Sequence, residues 1–238
     1  MKQIKFWSML LALAAMTMGL SSCGDENEDE YQSVLELQPE IAENLCPDKN
    51  HPHMIDLGFG VSWACCNVGA ASPEDWGGYY AWGETEEKKD YTWDNYKYQD
   101  AGKGLHYCTI IGDEIGGTQY DVATAKWGEE WKIPSASQLN ELKLKLKQRW
   151  AKLHGVYGCL FTNEQSGKSI FMPAAGYRDG KDIRYRDIYG CYWSSSCAPS
   201  SDWFAQRFYF SSGHEKWNDN WFRHYGRPVR AIAFSSDN

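Results

Sequence analysis

The sequence predicts an α+β domain of short, mixed or antiparallel strands with two helices, rich in loops and aromatic rings. Three observations predict it. Twelve Trp, 15 Tyr and 9 Phe outnumber Val, Ile and Leu together. A core built mainly from rings suits neither a helical bundle nor the aliphatic strands of a parallel α/β sheet. Only two stretches carry helix start and stop signals, and elsewhere apolar residues alternate over short runs broken by Gly, Asn and Ser.

In chain order, "MIDLGFGVSWACCNVGA" from Met54 reads as two short strands about Gly58 and Gly60, with Trp63 turned inward. The aromatic-studded stretch from Ala71 to Trp93 follows, with turns at Ser72-Pro73 and Gly77-Gly78. A short helix runs from Val122 to Lys126, capped by Thr118 or Asp121 and ended by Gly128. Pro134 then introduces a capping box, Ser135 to Gln138. Leu139, Leu142, Leu146, Trp150 and Leu153 recur every three or four residues, which predicts a second helix stopped by Gly155. Beyond it the period falls to two. Cys159–Thr162 and Ser169–Met172 form a hairpin turned by Gln165-Ser166-Gly167. "WFAQRFYF" places Phe204, Phe208 and Phe210 on one side of a strand, and "RPVRAIAF" ends the domain as another, with Pro228 at its start.

The first 22 residues read as a lipoprotein signal peptide. Lys2 and Lys5 precede an apolar run, Phe6 to Leu20, too short to span a bilayer as a helix. Leu20-Ser21-Ser22-Cys23 resembles the bacterial lipobox, which makes Cys23 the lipid-attachment residue and the new N-terminus. The acidic run "GDENEDE" behind it repels itself and stays solvated, so residues 23–53 read as the lipidated cysteine, an acidic tether and a linker. An acidic run in that place resembles the surface-export signal of Bacteroidota lipoproteins. The expected location is the outer membrane, on the cell surface, with the lipid as membrane contact. Formal net charge is −8, and loss of Lys2 and Lys5 makes the mature chain more acidic. A surface of that sign is repelled by phosphate backbones, so no nucleic-acid partner is expected.

Seven cysteines follow Cys23: Cys46, Cys65, Cys66, Cys108, Cys159, Cys191 and Cys197. The odd number leaves at least one thiol free or paired with another chain, and the pairing stays open, including a small Cys191–Cys197 loop. No C-x-x-C is present, His51-Pro52-His53 falls in the linker, and none of the six histidines shows metal spacing on a regular element. No zinc site is therefore expected, and no cofactor.

Six stretches in order carry a resemblance: "IDLGFGVSWACCNVGA", "GGYYAWGETEEK", "ATAKWGEEWKIPSASQLNEL", "FMPAAGYRDG", "GCYWSSS" and "GRPVRAI". Together they resemble the landmarks of the Fibrobacter succinogenes major paralogous domain, over nearly the whole of a domain placed at 54–234, with 235–238 as a tail. The resemblance implies a C-type lectin-like fold, shared with formylglycine-generating enzymes, and secreted or surface display. Ile133-Pro134-Ser135 and Val229-Arg230 stand where that layout has its helix entry and terminal strand.

Fold does not carry function, and this layout hosts binders and enzymes. "KWNDN", Lys216 to Asn220, contains the Trp-Asn-Asp tripeptide of calcium-dependent lectins. Asn218 and Asp219 are its two candidate calcium ligands, but calcium needs six to eight oxygens, and the companion acidic-proline triplet of those lectins is missing. The tripeptide reads as a polar turn. The rings around it form the candidate ligand surface: Trp203, Trp217, Trp221 and Tyr225, with Asp219 and Arg223 supplying polar contacts. Ser194 to Ser196 lack a partnered His and Asp and read as structural hydroxyls. The expected function is non-catalytic binding of a glycan or protein ligand. An orphan enzyme of the formylglycine-generating type, with Cys191 and Cys197 as its cysteine pair, is one alternative. A structural surface or fimbria-associated component is the other.

Overall fold

The computed structural model describes residues 34–38, 41, 44–99, 111–199, 201, 203–213 and 218–234. The leader, Cys23, the acidic run, Trp217 and the tail 235–238 lie outside them. Residues from Val34 onward form one compact unit, and its described residues are mixed α+β, with short and mostly antiparallel strands and two helices described end to end.

Among the described residues, four small sheets make the frame. In the first, β1 (Leu35–Glu36) pairs parallel with β5 (Lys147–Leu153), followed by β6 (Val156–Thr162) and β7 (Ser169–Pro173). The second has the order β2 (Met54–Asp56), β3 (Ser62–Ala64), β13 (Ile232–Ala233), β4 (Trp131–Lys132), so the domain's first and last segments share a sheet. The third is β10 (Gly190–Cys197), β11 (Phe204–Phe210) and β12 (Asn218–Phe222), and the fourth is the β8 (Tyr177–Asp179) and β9 (Asp182–Arg184) pair.

The first helix, α1 (Val122–Trp127), forms where its caps say. The buried Asp121 carboxylate accepts from four backbone N–H groups, those of Gly117, Ala123, Thr124 and Ile133, at 2.7–3.3 Å. Gly128 closes the helix at φ 96°. The second, α2 (Ala136–Lys145), opens on the capping box of Ser135 and Gln138 and buries Ala136, Leu139 and Leu142.

It ends well short of Gly155, which corrects the longer helix expected from the leucine stripe. Trp150 and Leu153 belong to β5, whose register against β6 runs from Lys147↔Thr162 to Leu153↔Val156. His154 and Gly155 make the tight turn, with φ 48° and 80°. Two consecutive positive φ values are the signature of a type I′ hairpin turn, so Gly155 supplies its left-handed residue to a hairpin and not to a helix stop. The downstream hairpin pairs as expected, with Cys159 opposite Met172 and Thr162 opposite Ser169.

Rings fill the core. Trp63, Trp82, Trp193, Tyr192, Phe161, Phe171, Phe208 and Phe210 are fully buried. Three of their polar tips find backbone partners: Trp82 Nε1 donates to Ser194 O and Trp193 Nε1 to Tyr80 O, both at 2.8 Å, and Tyr192 Oη donates to Pro173 O at 2.7 Å. Arg230 is buried too, and its guanidinium donates to Asn67 Oδ1 and to the carbonyls of Ala64, Cys65 and Phe171 at 2.9–3.1 Å. That one side chain ties the C-terminal segment to the end of β3 and to β7.

Leu37, Ile41 and Leu45, from the segment expected as tether and linker, pack on this frame. Leu37 and Leu45 are buried with Ala151, Leu153, Leu160 and Phe171, and Leu37 N donates to Lys152 O at 2.7 Å.

Candidate functional site

β12 carries the second half of "KWNDN", so the turn expected there is the edge strand of a sheet, paired with β11 from Asn218↔Phe208 to Phe222↔Phe204. Asp219 stands opposite Arg207, and its Oδ2 lies 2.8 Å from Arg207 Nη2. Its carboxylate serves an ion pair with a buried guanidinium. The Arg207 guanidinium also lies 4.3 Å over the Trp221 ring, which packs against the core.

Arg223 corrects its expected role as a surface contact. It is wholly buried, donates from Nε to Phe204 O at 3.2 Å, and lies over the Trp82 ring at 4.4 Å. Its length and planarity fill a slot between rings, a role that charge alone does not reveal in a sequence.

Trp203 and Tyr225 do lie on the surface, in a larger arrangement than the loop suggested. Trp203 stacks near Trp93 at 4.9 Å between centroids, Trp93 near His224 at 4.9 Å, and His224 near Tyr225 at 4.4 Å. The series continues through Tyr177 (5.3 Å), Tyr185 (5.9 Å), Tyr189 (4.9 Å) and Tyr209 (5.1 Å). Trp203 is 38 % exposed and Tyr185 49 %, and the other rings of the strip are half-buried. The members come from the 3-10 turn Trp93–Asn95, from β8 and β11, and from the connections that follow β9, β10 and β12. They are far apart in sequence, so only the loop cluster near Trp203 was visible in advance. Burial lowers the His224 pKa to about 4, and its Nδ1 is buried without a hydrogen-bond partner.

The serine triplet lies in β10. Ser194 Oγ donates to Gln206 O at 2.7 Å, Ser195 Oγ to the Glu114 carboxylate, and Ser196 Oγ to Glu114 Oε2 at 2.9 Å. Cys191 is a buried free thiol and Cys197 is disulfide-bonded, so no Cys191–Cys197 bridge forms.

A second cluster was missed. Cys46, His51, His53 and Cys65 converge, each offering one ligand atom, with all four atoms within 4.8 Å of one another. Cys46 Sγ lies 3.2 Å from Cys65 Sγ, 3.1 Å from His51 Nδ1 and 3.3 Å from His53 Nδ1. Cys65 Sγ is 3.5 Å from both imidazole Nδ1 atoms. The β2–β3 register builds this group. Met54 faces Ala64, and one step further His53 N donates to Cys65 Sγ at 3.2 Å while Cys65 N donates to His53 O at 3.0 Å. The adjoining Cys66 thiol, then the His53 N–H, His51 and Cys46, hold the Cys65 thiol well below its ordinary pKa despite burial.

No protein-family model, curated protein or solved structure matches this chain.

Proposed function

We propose that the chain is a cell-surface lipoprotein whose folded domain works by binding and not by catalysis, gripping a glycan or protein ligand along the aromatic strip. The strip itself carries this reading. Eight rings linked at centroid separations of 4.4–5.9 Å run across the surface, beside Asp179 and Arg184, which act on Tyr225. Flat apolar faces interleaved with charged groups suit the faces of sugar rings and of planar side chains.

The fold we read as C-type lectin-like, in the Fibrobacter succinogenes major paralogous domain family, on the six ordered sequence landmarks. The shared sheet of β2, β3 and β13 supports it, as does the buried Arg230 that fastens the terminal segment. The leader, Cys23 and the acidic run support anchoring on the outer membrane. Against the enzyme alternative stand the serine hydroxyls already engaged by Gln206 and Glu114. Cys191 and Cys197 are also not a pair of thiols.

The test is a glycan array and a protein-ligand panel probed with the full chain. Saturable binding that falls on the order of tenfold or more in Trp203→Ala and Tyr185→Ala is expected, as for buried aromatic anchors of interfaces. Absence of saturable binding, or binding that ignores both substitutions, sinks the proposal.

A further inference from the structure

We propose that Cys46, His51, His53 and Cys65 bind one zinc ion in a closed tetrahedral site. This goes beyond the ligand-binding reading and does not depend on it.

The geometry is that of a preformed ligand cage. A tetrahedron with metal–ligand bonds of about 2.0–2.3 Å has edges of about 3.3–3.8 Å. Here the Sγ–Sγ edge is 3.2 Å, and the four mixed edges from sulfur to Nδ1 are 3.1, 3.3, 3.5 and 3.5 Å. The two imidazoles meet at 85°, as two corners of a cage do and stacked rings do not. The sixth edge, between the two Nδ1 atoms, is no longer than 4.8 Å, so an entering ion draws the four ligands into a tetrahedron by small side-chain shifts.

Chemistry selects the ion. Two thiolates and two imidazoles are soft and borderline donors, suited to zinc and foreign to calcium or magnesium, which take oxygen. The two thiols lose their protons on binding, and two thiolates with two neutral imidazoles cancel the charge of one divalent ion. A two-iron cluster with thiolates on one iron and imidazoles on the other would hold the two pairs apart. The mixed edges here are as short as the sulfur–sulfur edge, so one ion fits. Four protein ligands leave no open position, which makes the role structural.

The surroundings are those of a metal site. His53 Nε2 lies 3.1 Å from Asp48 Oδ1, which is itself held by Asn50 N–H at 2.6 Å. That carboxylate keeps the proton on Nε2 and leaves the Nδ1 lone pair for the ion. The His53 backbone N–H points at Cys65 Sγ, a bond that favours thiolate. Arg230 fixes the carbonyls of Ala64 and Cys65 from behind. The competing arrangement, a Cys46–Cys65 disulfide, needs its sulfurs about 2.05 Å apart and would give both histidines nothing to hold.

The experiment takes the full chain, purified in detergent without chelator or histidine tag, and measures metal content by mass spectrometry. About one zinc per chain is expected. Cobalt exchange should give the visible bands of a tetrahedral ion and a thiolate-to-cobalt charge-transfer band. Cys46→Ser, in the half-buried segment ahead of β2, should abolish both signals, with folding checked by near-ultraviolet circular dichroism. If that variant fails to fold, Asp48→Asn keeps all four ligands and should weaken zinc binding about 10–100-fold. Metal-free protein with titratable Cys46 and Cys65 thiols would overturn the proposal. So would a Cys46–Cys65 disulfide found by peptide mapping, or iron or copper held in place of zinc.

Discussion

Arg207 and Asp219 face each other across the β11–β12 ladder, their side chains joined at 2.8 Å, with the guanidinium 8 % exposed and the carboxylate 37 %. The carboxylate that spells a calcium ligand in sequence is here the counter-ion of a buried cation. Asp219→Ala should therefore destabilise the domain by about 1–3 kcal/mol, since it leaves Arg207 buried without its partner at a half-open site. Denaturant melts check this, and millimolar calcium should leave the wild-type melting temperature unchanged. A rise with calcium that magnesium does not reproduce would reinstate a lectin-type ion at this strand.

Trp203 and Arg223, each one residue beyond the end pair Phe204↔Phe222 of the β11–β12 hairpin, should separate surface from interior. Trp203→Ala removes an exposed ring and should cost about 1 kcal/mol of stability or less. Arg223→Ala empties a slot over Trp82 and frees the Phe204 carbonyl, which should cost about 3 kcal/mol or more. Equal losses in the two variants would contradict the burial pattern.

His224 should make stability fall in mild acid. Its folded pKa of about 4 lies below the ordinary 6.5, chiefly because burial disfavours the charged ring. The unfolded chain therefore binds the proton first. The contribution is full above pH 6.5 and is lost progressively as pH falls from 6.5 towards 4. Solvent screening at the open edge of the ring holds it to about 1–2 kcal/mol. His224→Phe should flatten the stability–pH curve over that window, while a curve of unchanged slope would place the acid sensitivity elsewhere.

Asp121 should be one of the least replaceable polar residues of the domain. Asp121→Ala orphans four backbone donors, two of them in the first turn of α1 and one at Ile133 beside β4. A loss of about 3 kcal/mol or more is expected, with Asp121→Asn losing less. Equal thermal denaturation of Ala and Asn variants would show that the acceptor count does not matter.

Local signals were legible where one side chain decides the backbone. Ser135 with Gln138, Asp121, and Gly128 mark helix ends through bonds made within a few residues, and such bonds survive translation from sequence to structure. The leucine stripe misled because Trp150 and Leu153 satisfy a helical spacing and also a strand in which Ala151 and Leu153 share a buried face. The turn His154-Gly155 broke the tie, and its preference for positive φ was present in the sequence. Asn218-Asp219-Asn220 resembled a loop because polar residues on an edge strand look like turn residues.

The Cys–His group was half legible. Reading two strands about Gly58 and Gly60 brings Met54 opposite Ala64, and one further step sets His53 beside Cys65. What hid it was the assignment of His51-Pro52-His53 to a linker, since no composition rule shows that Leu37, Leu45 and His53 pack on the domain. The aromatic strip was less legible still, because its members meet only through contacts between distant segments.

One consequence concerns force. Tension on the chain ahead of Val34 reaches the domain at a parallel ladder of two residue pairs, Leu35↔Ala151 and Glu36↔Lys152. Behind it stand the buried anchors Leu37 and Leu45, and then the junction of Cys46 with Cys65. These fasteners lie in sequence order, so they must yield one after another, like stitches in a seam. The strands that carry rings of the strip, β8 and β11, lie beyond all these fasteners in the chain.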